Sequence, residues 1–241
     1  MTLFQAIAPA DIAAFALFAL CWLGYEPLLK RLTRRAQTIN TDLTVIRTAW
    51  MRNMAGREGR FLDSQLLGHA ISSASFFTSS NLIIIAAAAG ALFGGDAFLR
   101  GVKGVPLVAS APHLVLEAKL ALVVVVLGRG LLAFIWSIRQ MNYCIVAIGA
   151  APGPGTDPAV VRDYGEAAAE VLNPALSSFN AGVRGYYFAL AAGAWLLGPL
   201  PFALGTIGAI TLLAWRQSQS RSSAGVRRLR AILEGMEKGE A

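Results

Sequence analysis

Long apolar stretches separated by polar and basic segments dominate the pattern of the chain. Crossing the hydrocarbon core of a bilayer takes about 20 apolar residues in a helix. Stretches that approach or exceed this length predict membrane spans at residues 12–29, 68–93, 114–149, 182–197 and 201–215. The pattern therefore predicts an all-α integral membrane bundle, with residues 1–241 forming a single membrane domain.

The third stretch is unusually long. Residues 114–149 contain no helix breaker, and Ala151-Pro-Gly-Pro-Gly155 follows them. At about 1.5 Å per residue the helix would be roughly 54 Å long. We expect it to extend beyond one face of the bilayer.

The last apolar region leaves the number of spans open, because Gly198-Pro-Leu-Pro201 interrupts it. One kinked helix would give four spans, whereas a hairpin at the prolines would give five. Lys and Arg concentrate in cytoplasmic segments of membrane proteins. Eight of them lie in loop 30–67 and six in the carboxyl tail 216–241, against two between spans two and three. This bias favours five spans in the inner (plasma) membrane, with the amino terminus outside and the carboxyl terminus cytoplasmic.

The basic loop also contains an amphipathic pattern. Leu43, Ile46, Trp50 and Met54 recur at helical spacing. This helix could rest on anionic headgroups or pack as a cytosolic helix on the bundle, and the sequence leaves both possibilities open. The candidates for contact with a lipid surface are Arg31, Arg34, Arg35, Arg47 and Arg52. A weaker amphipathic pattern covers residues 158–172.

Composition agrees with a membrane protein. Hydrophobic residues make up 56% of the chain and charged residues 15%, and the mean hydropathy is +0.56. The net charge of +7 raises the possibility of nucleic acid binding, but no binding motif accompanies the basic residues. We expect membrane lipids as partners and no nucleic acid.

Arg129 lies in the middle of the third apolar stretch, so a guanidinium is predicted near mid-bilayer. A charged side chain at that depth is costly, which makes it a candidate functional residue. At about 100° per residue, its helix face also carries Trp136, Arg139, Gln140 and Tyr143. At the same depth in span two we expect Thr78, Ser79 and Asn81.

Two interpretations of this polar layer compete. In the structural one, Arg129 is held by helix carbonyls, by hydroxyls of span two, or by an acid such as Glu26 or Glu117. In the functional one, Arg129 and Arg139 line a hydrated path, and the hydroxyls and amide of span two act as further donors to an anion.

Metal or catalytic chemistry is not predicted. His69 and His113 are expected at opposite faces of the membrane, and Cys21 and Cys144 form no paired motif. No nucleophile stands beside a plausible base. We therefore expect no cofactor, no metal site and no enzymatic activity.

Several short blocks nevertheless resemble a known family. The first runs from Trp50-Met51 through Arg57, Arg60 and Asp63-Ser-Gln-Leu-Leu67 to Ala74-Ser-Phe-Phe-Thr78. The later blocks are Trp136-Ser-Ile-Arg-Gln-Met-Asn-Tyr143 and Arg184-Gly-Tyr-Tyr-Phe-Ala189. Together they resemble domain-of-unknown-function family 599, membrane proteins of bacteria and plants, over roughly residues 28–215. The resemblance implies a multi-span membrane protein and supplies no catalytic or binding residues.

Two functional hypotheses follow. The first is an oligomeric channel or transporter for a small anion, built from several copies of the chain and using the intramembrane arginine and the hydroxyl layer. The alternative is a non-catalytic membrane scaffold or assembly protein, which binds anionic lipid or a partner through its basic loop and tail.

Overall fold

The structure is a computed structural model that describes residues 8–33, 39–94, 113–218 and 220–239. Within these ranges the regular secondary structure is helical and no strand occurs. The α-helices are α1 Pro9–Thr33, α2 Ile39–Ala55, α3 Phe61–Phe93, α4 His113–Gly149, α5 Pro158–Ala194, α6 Pro199–Ser218 and α7 Arg221–Gly239, and a 3-10 turn, Trp195–Leu197, follows α5. The predicted all-α fold class is confirmed.

Three of the described helices are long and apolar enough to cross a membrane. They are α3, α4 from Leu114 onward, and the stretch Pro199–Met236, which begins with α6 and continues into α7, with mean hydropathies of 1.8, 2.2 and 1.2. The side chains of Phe76, Leu82 and Ile83 are exposed along α3. Such a surface suits lipid tails rather than water. These are the apolar helices of a membrane protein, while the number of crossings and the orientation of the termini stay predictions.

Two helices extend further than the apolar pattern suggested. α3 begins at Phe61 and not at residue 68, and its first turn contains Asp63, a carboxylate favoured at a helix amino terminus. α5 joins the amphipathic segment 158–172 and the predicted fourth span in one helix with Pro174 inside it. Leu172 and Ala175, on either side of this proline, are fully buried. Their packing holds the helix together where the proline removes a backbone hydrogen bond.

The chain reverses direction between α5 and α6. Gly198 has a φ of 124°, a conformation that side-chain-bearing residues rarely adopt. Across the turn, the rings of Trp195 and Phe202 stack with centroids 4.8 Å apart. A Cβ built on Gly205 would lie 3.4 Å from the Cα of Ala191. In one continuous helix residues 191 and 205 would be roughly 21 Å apart, so this segment is a hairpin and not a kinked helix.

The structure divides into two compact units, a subdivision that the apolar pattern did not predict. Unit 1 consists of Met1–Leu32, Ser79–Leu132 and Gly182–Leu213. Unit 2 consists of Thr33–Thr78, Ala133–Ala181 and Ala214–Ala241. Each unit has a hydrophobic core of its own. The core of unit 1 is rich in aromatic rings and includes Phe18, Phe188, Trp195 and Phe202. The core of unit 2 combines small alanine side chains with larger ones that include Met51, Met54, Leu67, Met141 and Leu172.

Within unit 2, α2 is a packed helix. Met51, Met54 and Ala55 are at most 1% exposed. A Cβ built on Gly165 of α5 would lie 2.5 Å from the Cα of Arg52, so the two backbones are in direct contact. Of the two alternatives for the amphipathic loop helix, the structure favours packing on the bundle.

Gly165→Ala is expected to destabilise the protein, because the new methyl group would collide with the backbone of α2 at Arg52. We expect a loss of about 1–3 kcal/mol in the free energy of unfolding, measured by thermal unfolding in detergent. Gly193→Ala in the same helix is the matched control, since nothing lies within 4 Å of its Cβ position. The control should gain about 1 kcal/mol of helix propensity. An unchanged or raised unfolding midpoint in Gly165→Ala would contradict the backbone contact.

Candidate functional site

Two arginines of unit 1 stand over aromatic rings of α1. The guanidinium of Arg129 on α4 is 5.4 Å from the ring centroid of Trp22. The guanidinium of Arg184 on α5 is 5.8 Å from the ring centroid of Tyr25. Trp22 and Tyr25 are one helical turn apart, so their rings receive both cations on one face of α1. Each such cation–π contact contributes about 0.5–2 kcal/mol, more where water is excluded.

A glycine contact between α4 and α5 brings these arginines together. A Cβ built on Gly185 would lie 3.3 Å from the Cα of Gly130. Larger residues would force the helices apart, as in other close helix crossings of membrane proteins. Each glycine directly follows one of the arginines in the sequence, so the crossing places Arg129 and Arg184 in the same layer. We call these two arginines and the rings of Trp22 and Tyr25 the aromatic layer.

Asn81 of α3 completes this layer. It is 1% exposed, and its Nδ2 donates a hydrogen bond to the backbone carbonyl of Leu127, at 3.0 Å. The same nitrogen would lie 3.4 Å from a Cβ built on Gly130, so the amide packs against the glycine crossing. Its Oδ1 is buried without a hydrogen-bond partner. A buried acceptor in this state costs about 1–3 kcal/mol and can accept a bond from a donor that enters the site.

The acids that the sequence offered as partners of Arg129 differ in position. The side chain of Glu26 lies outside the described side chains. Glu117 precedes Arg129 by twelve residues on α4, which is roughly 18 Å along the helix axis. Glu117 is therefore too far along the helix to pair with Arg129.

The two hydroxyl residues predicted at the depth of Arg129, Thr78 and Ser79, have different surroundings. Thr78 donates to the carbonyl of Ala74 in its own helix, at 2.7 Å. Its hydroxyl hydrogen is thus used within α3. Ser79 is exposed.

The remaining path candidates lie on α4 in unit 2. Trp136 and Tyr143 are about half exposed, and Arg139 Nε donates to the Tyr143 hydroxyl, at 2.7 Å. Gln140 instead turns toward α5, where its Oε1 accepts a hydrogen bond from Ser178, at 3.3 Å. The predicted polar face of α4 is therefore divided in unit 2. Trp136, Arg139 and Tyr143 point outward, whereas the amide of Gln140 points toward α5.

The candidates for the lipid surface are only partly described. Beyond the described side chains lie Arg31, Arg34 and Arg35. Arg52 forms an ion pair with Glu166 of α5, at 2.9 Å. Arg47 is half-buried, and this burial lowers the pKa of its guanidinium. Arg47 and Arg52 are thus both partly buried within unit 2.

A buried carboxylate organises the start of α3 and was missed as a site from the sequence. Asp63 is fully buried and accepts hydrogen bonds from Trp50 Nε1, at 2.7 Å, and from Arg57 Nη1, at 2.9 Å. Arg60 donates to the backbone carbonyl of Ala151, at 3.1 Å, beyond the end of α4. These polar residues all belong to the first block that carries the family resemblance. That resemblance is the sequence signal that could have identified the network.

Unit 1 contains a second buried charge pair. Asp11 accepts a hydrogen bond from Trp195 Nε1, at 2.6 Å, and its Oδ1 is 3.7 Å from Lys119 Nζ. The ammonium of Lys119 also stands 5.6 Å from the centre of the Trp195 ring. Asp11 and Trp195 are 184 residues apart, and no local pattern links them. Across the described ranges, no group of three or more His, Cys, Asp or Glu could hold a metal ion.

The family model described as "Protein of unknown function, DUF599" matches residues 13–222. The chain belongs to the DUF599 family. The resemblance seen in the sequence blocks is thereby confirmed. The DUF599 match includes both arginines of the aromatic layer and the Asp63 network, and it ends at the start of α7. No curated protein and no solved structure matches the chain.

Asp63→Ala is expected to destabilise unit 2, because it leaves the Trp50 indole and the Arg57 guanidinium without their shared acceptor. Arg57 is partly exposed, so we expect a moderate loss of roughly 2 kcal/mol, measured by thermal unfolding in detergent. Asp63→Asn keeps one acceptor oxygen and should lose less. The control is Asp163→Ala at an exposed position of α5, with a change within about 0.5 kcal/mol. Equal midpoints for Asp63→Ala and the control would refute a structural role for the carboxylate.

Proposed function

We propose that this chain is a non-catalytic scaffold of the inner (plasma) membrane, with a cytoplasmic carboxyl terminus. In this proposal, its basic loop and tail bind anionic lipid or a partner. The observation that carries the proposal is that Asn81 and Gln140, two side chains expected to line a conducting path, are instead used to join helices.

The hydrogen bonds of α4 support this view in both units. In unit 1 the Asn81 amide joins α3 to the Leu127 carbonyl of α4. In unit 2 the buried Ser137 hydroxyl of α4 donates to the Ala175 carbonyl of α5, at 2.7 Å. Groups committed to such bonds are poor candidates for replacing the water shell of a passing ion.

The described cations of the basic loop bear on which basic segment does the binding. Arg52, Arg57 and Arg60 are held by Glu166, Asp63 and backbone carbonyls respectively. These contacts fix α2, the start of α3 and the start of α5 as one platform. Cations so engaged have less freedom to reach an external anion, which leaves the tail as the main basic element for binding.

Anion transport is the second candidate function. It is favoured by the aromatic layer of unit 1, where Arg129 and Arg184 lie in one layer. Paired guanidinium groups provide the positive potential that an anion path needs. On this hypothesis the outward group of Trp136, Arg139 and Tyr143 would face another copy of the chain in a homo-oligomer.

Chloride efflux from proteoliposomes distinguishes the two functions. The scaffold proposal predicts efflux equal to that of protein-free vesicles, for the unaltered chain and for Arg129→Ala alike. The transport hypothesis predicts efflux that Arg129→Ala abolishes and that Arg162→Ala, at an exposed position of unit 2, leaves intact.

Efflux above background would overturn the scaffold proposal. Its loss in Arg129→Ala would assign the path to the aromatic layer. Its persistence in that variant would assign the path to other residues.

A further inference from the structure

We infer that the outward face of α7 binds the surface of an anionic lipid bilayer. This inference rests on the proposed scaffold function and deepens it, because it names the ligand of the basic tail and the residues that hold it.

The packed side of α7 is its polar side. Arg230 donates to the fully buried Asp42 of α2, at 2.9 Å, and to Glu234 of its own helix, at 2.6 Å. These hydrogen bonds, first to Asp42 and then to Glu234, raise the pKa of Arg230, which remains a fixed cation. Ser223 is buried on the same side. α7 is therefore attached to α2, within unit 2, through an ion pair.

The opposite side of α7 is apolar. Leu229, Ile232 and Met236 follow one another at spacings of three and four residues and form a single stripe. Each of the three is more than half exposed. A helix on a soluble protein turns such a stripe inward, whereas α7 turns its stripe outward. An apolar stripe that faces away from the protein needs another apolar medium.

Charge identifies that medium. Arg221 and Arg228 are exposed and lie beside the stripe, Arg228 one turn before Ile232. Glu234, by contrast, is turned toward Arg230. Apolar side chains flanked by exposed cations are the pattern of helices that lie in the headgroup region of anionic membranes.

The position of α7 in the chain places it near such a surface. α6 ends at Ser218 and α7 begins at Arg221, so three Cα steps, at most about 11 Å, separate them. The stretch beginning with α6 is one of the three that are apolar enough to cross a membrane. A helix that starts so close to the end of a span begins at the level of the headgroups. A soluble protein partner would have to compete with lipid for this face.

Spin-label accessibility in the full-length chain tests the inference. Labels are placed at Ile232→Cys, in the stripe, and at Ala224→Cys, an exposed position about 80° from Ile232 around the helix. Both variants are made in a Cys21→Ala, Cys144→Ala background. The protein is reconstituted in phosphatidylcholine vesicles with and without phosphatidylglycerol. Collision with oxygen, which concentrates in lipid, is compared with collision with a water-soluble nickel complex.

With phosphatidylglycerol present, we expect the oxygen-to-nickel ratio at position 232 to be several-fold above that at position 224. The double variant Arg221→Gln, Arg228→Gln should lower the ratio of docked to undocked helix by roughly thirtyfold, since each cation near an anionic surface contributes about fivefold. Circular dichroism of the variants checks that helix content is unchanged.

Two results would overturn the inference. A label at position 232 that collides freely with nickel in both vesicle types would mean that α7 stands in water. A label shielded from both reagents would mean that a second copy or another protein covers the stripe. Failure of the scaffold proposal is detected separately, because chloride efflux does not depend on the depth of this label.

Discussion

A polar group inside hydrocarbon has no water to bond, so it must find its hydrogen-bond partner within the protein. This requirement accounts for the most specific contacts of the long helices. Asn81 reaches the Leu127 carbonyl, Ser137 reaches the Ala175 carbonyl, and Thr78 turns back to Ala74. The same requirement brings Arg129 and Arg184 onto aromatic rings, where a guanidinium loses less on leaving water than it would among alkyl chains.

A related requirement applies to full charges buried inside the protein in unit 2, because they also lack water. Asp42 and Asp63 are completely buried, and each has an arginine partner within 3 Å. Buried ion pairs add little net stability, because desolvation offsets most of their attraction. Removing one partner is costly, however, so such pairs disfavour arrangements that separate them. We interpret the two aspartates as devices that fix which helices meet, with α7 and the start of α3 both tied to the region around α2.

Periodicity and length were sufficient to predict the helical class, the extent of α4 and the break at Gly198, because these features depend on neighbours along the chain. The continuity of α5 through Pro174 was not predictable in this way, since it depends on packing around Leu172 and Ala175. Likewise, the charge pattern drew attention to Arg129 but not to Arg184, which lies in a more polar stretch. Its role depends on the contact of Gly185 with Gly130, 55 residues away in the sequence. The Asp11 pairing with Trp195 is more distant still.

The glycine contact between α4 and α5 also has a mechanical consequence. No side chain lies between the two backbones at Gly130 and Gly185, so a slide of one helix along the other would bring bulkier neighbours into the contact. Bringing the next residue of α5 to the crossing would require a shift of about 1.5 Å along the helix axis together with a rotation of about 100°. Arg184 would then leave the ring of Tyr25. The glycine contact and the cation–π contact therefore stabilise the same position of α5. Displacing this helix would break the contact of Arg184 with Tyr25 and would bring larger side chains to the crossing.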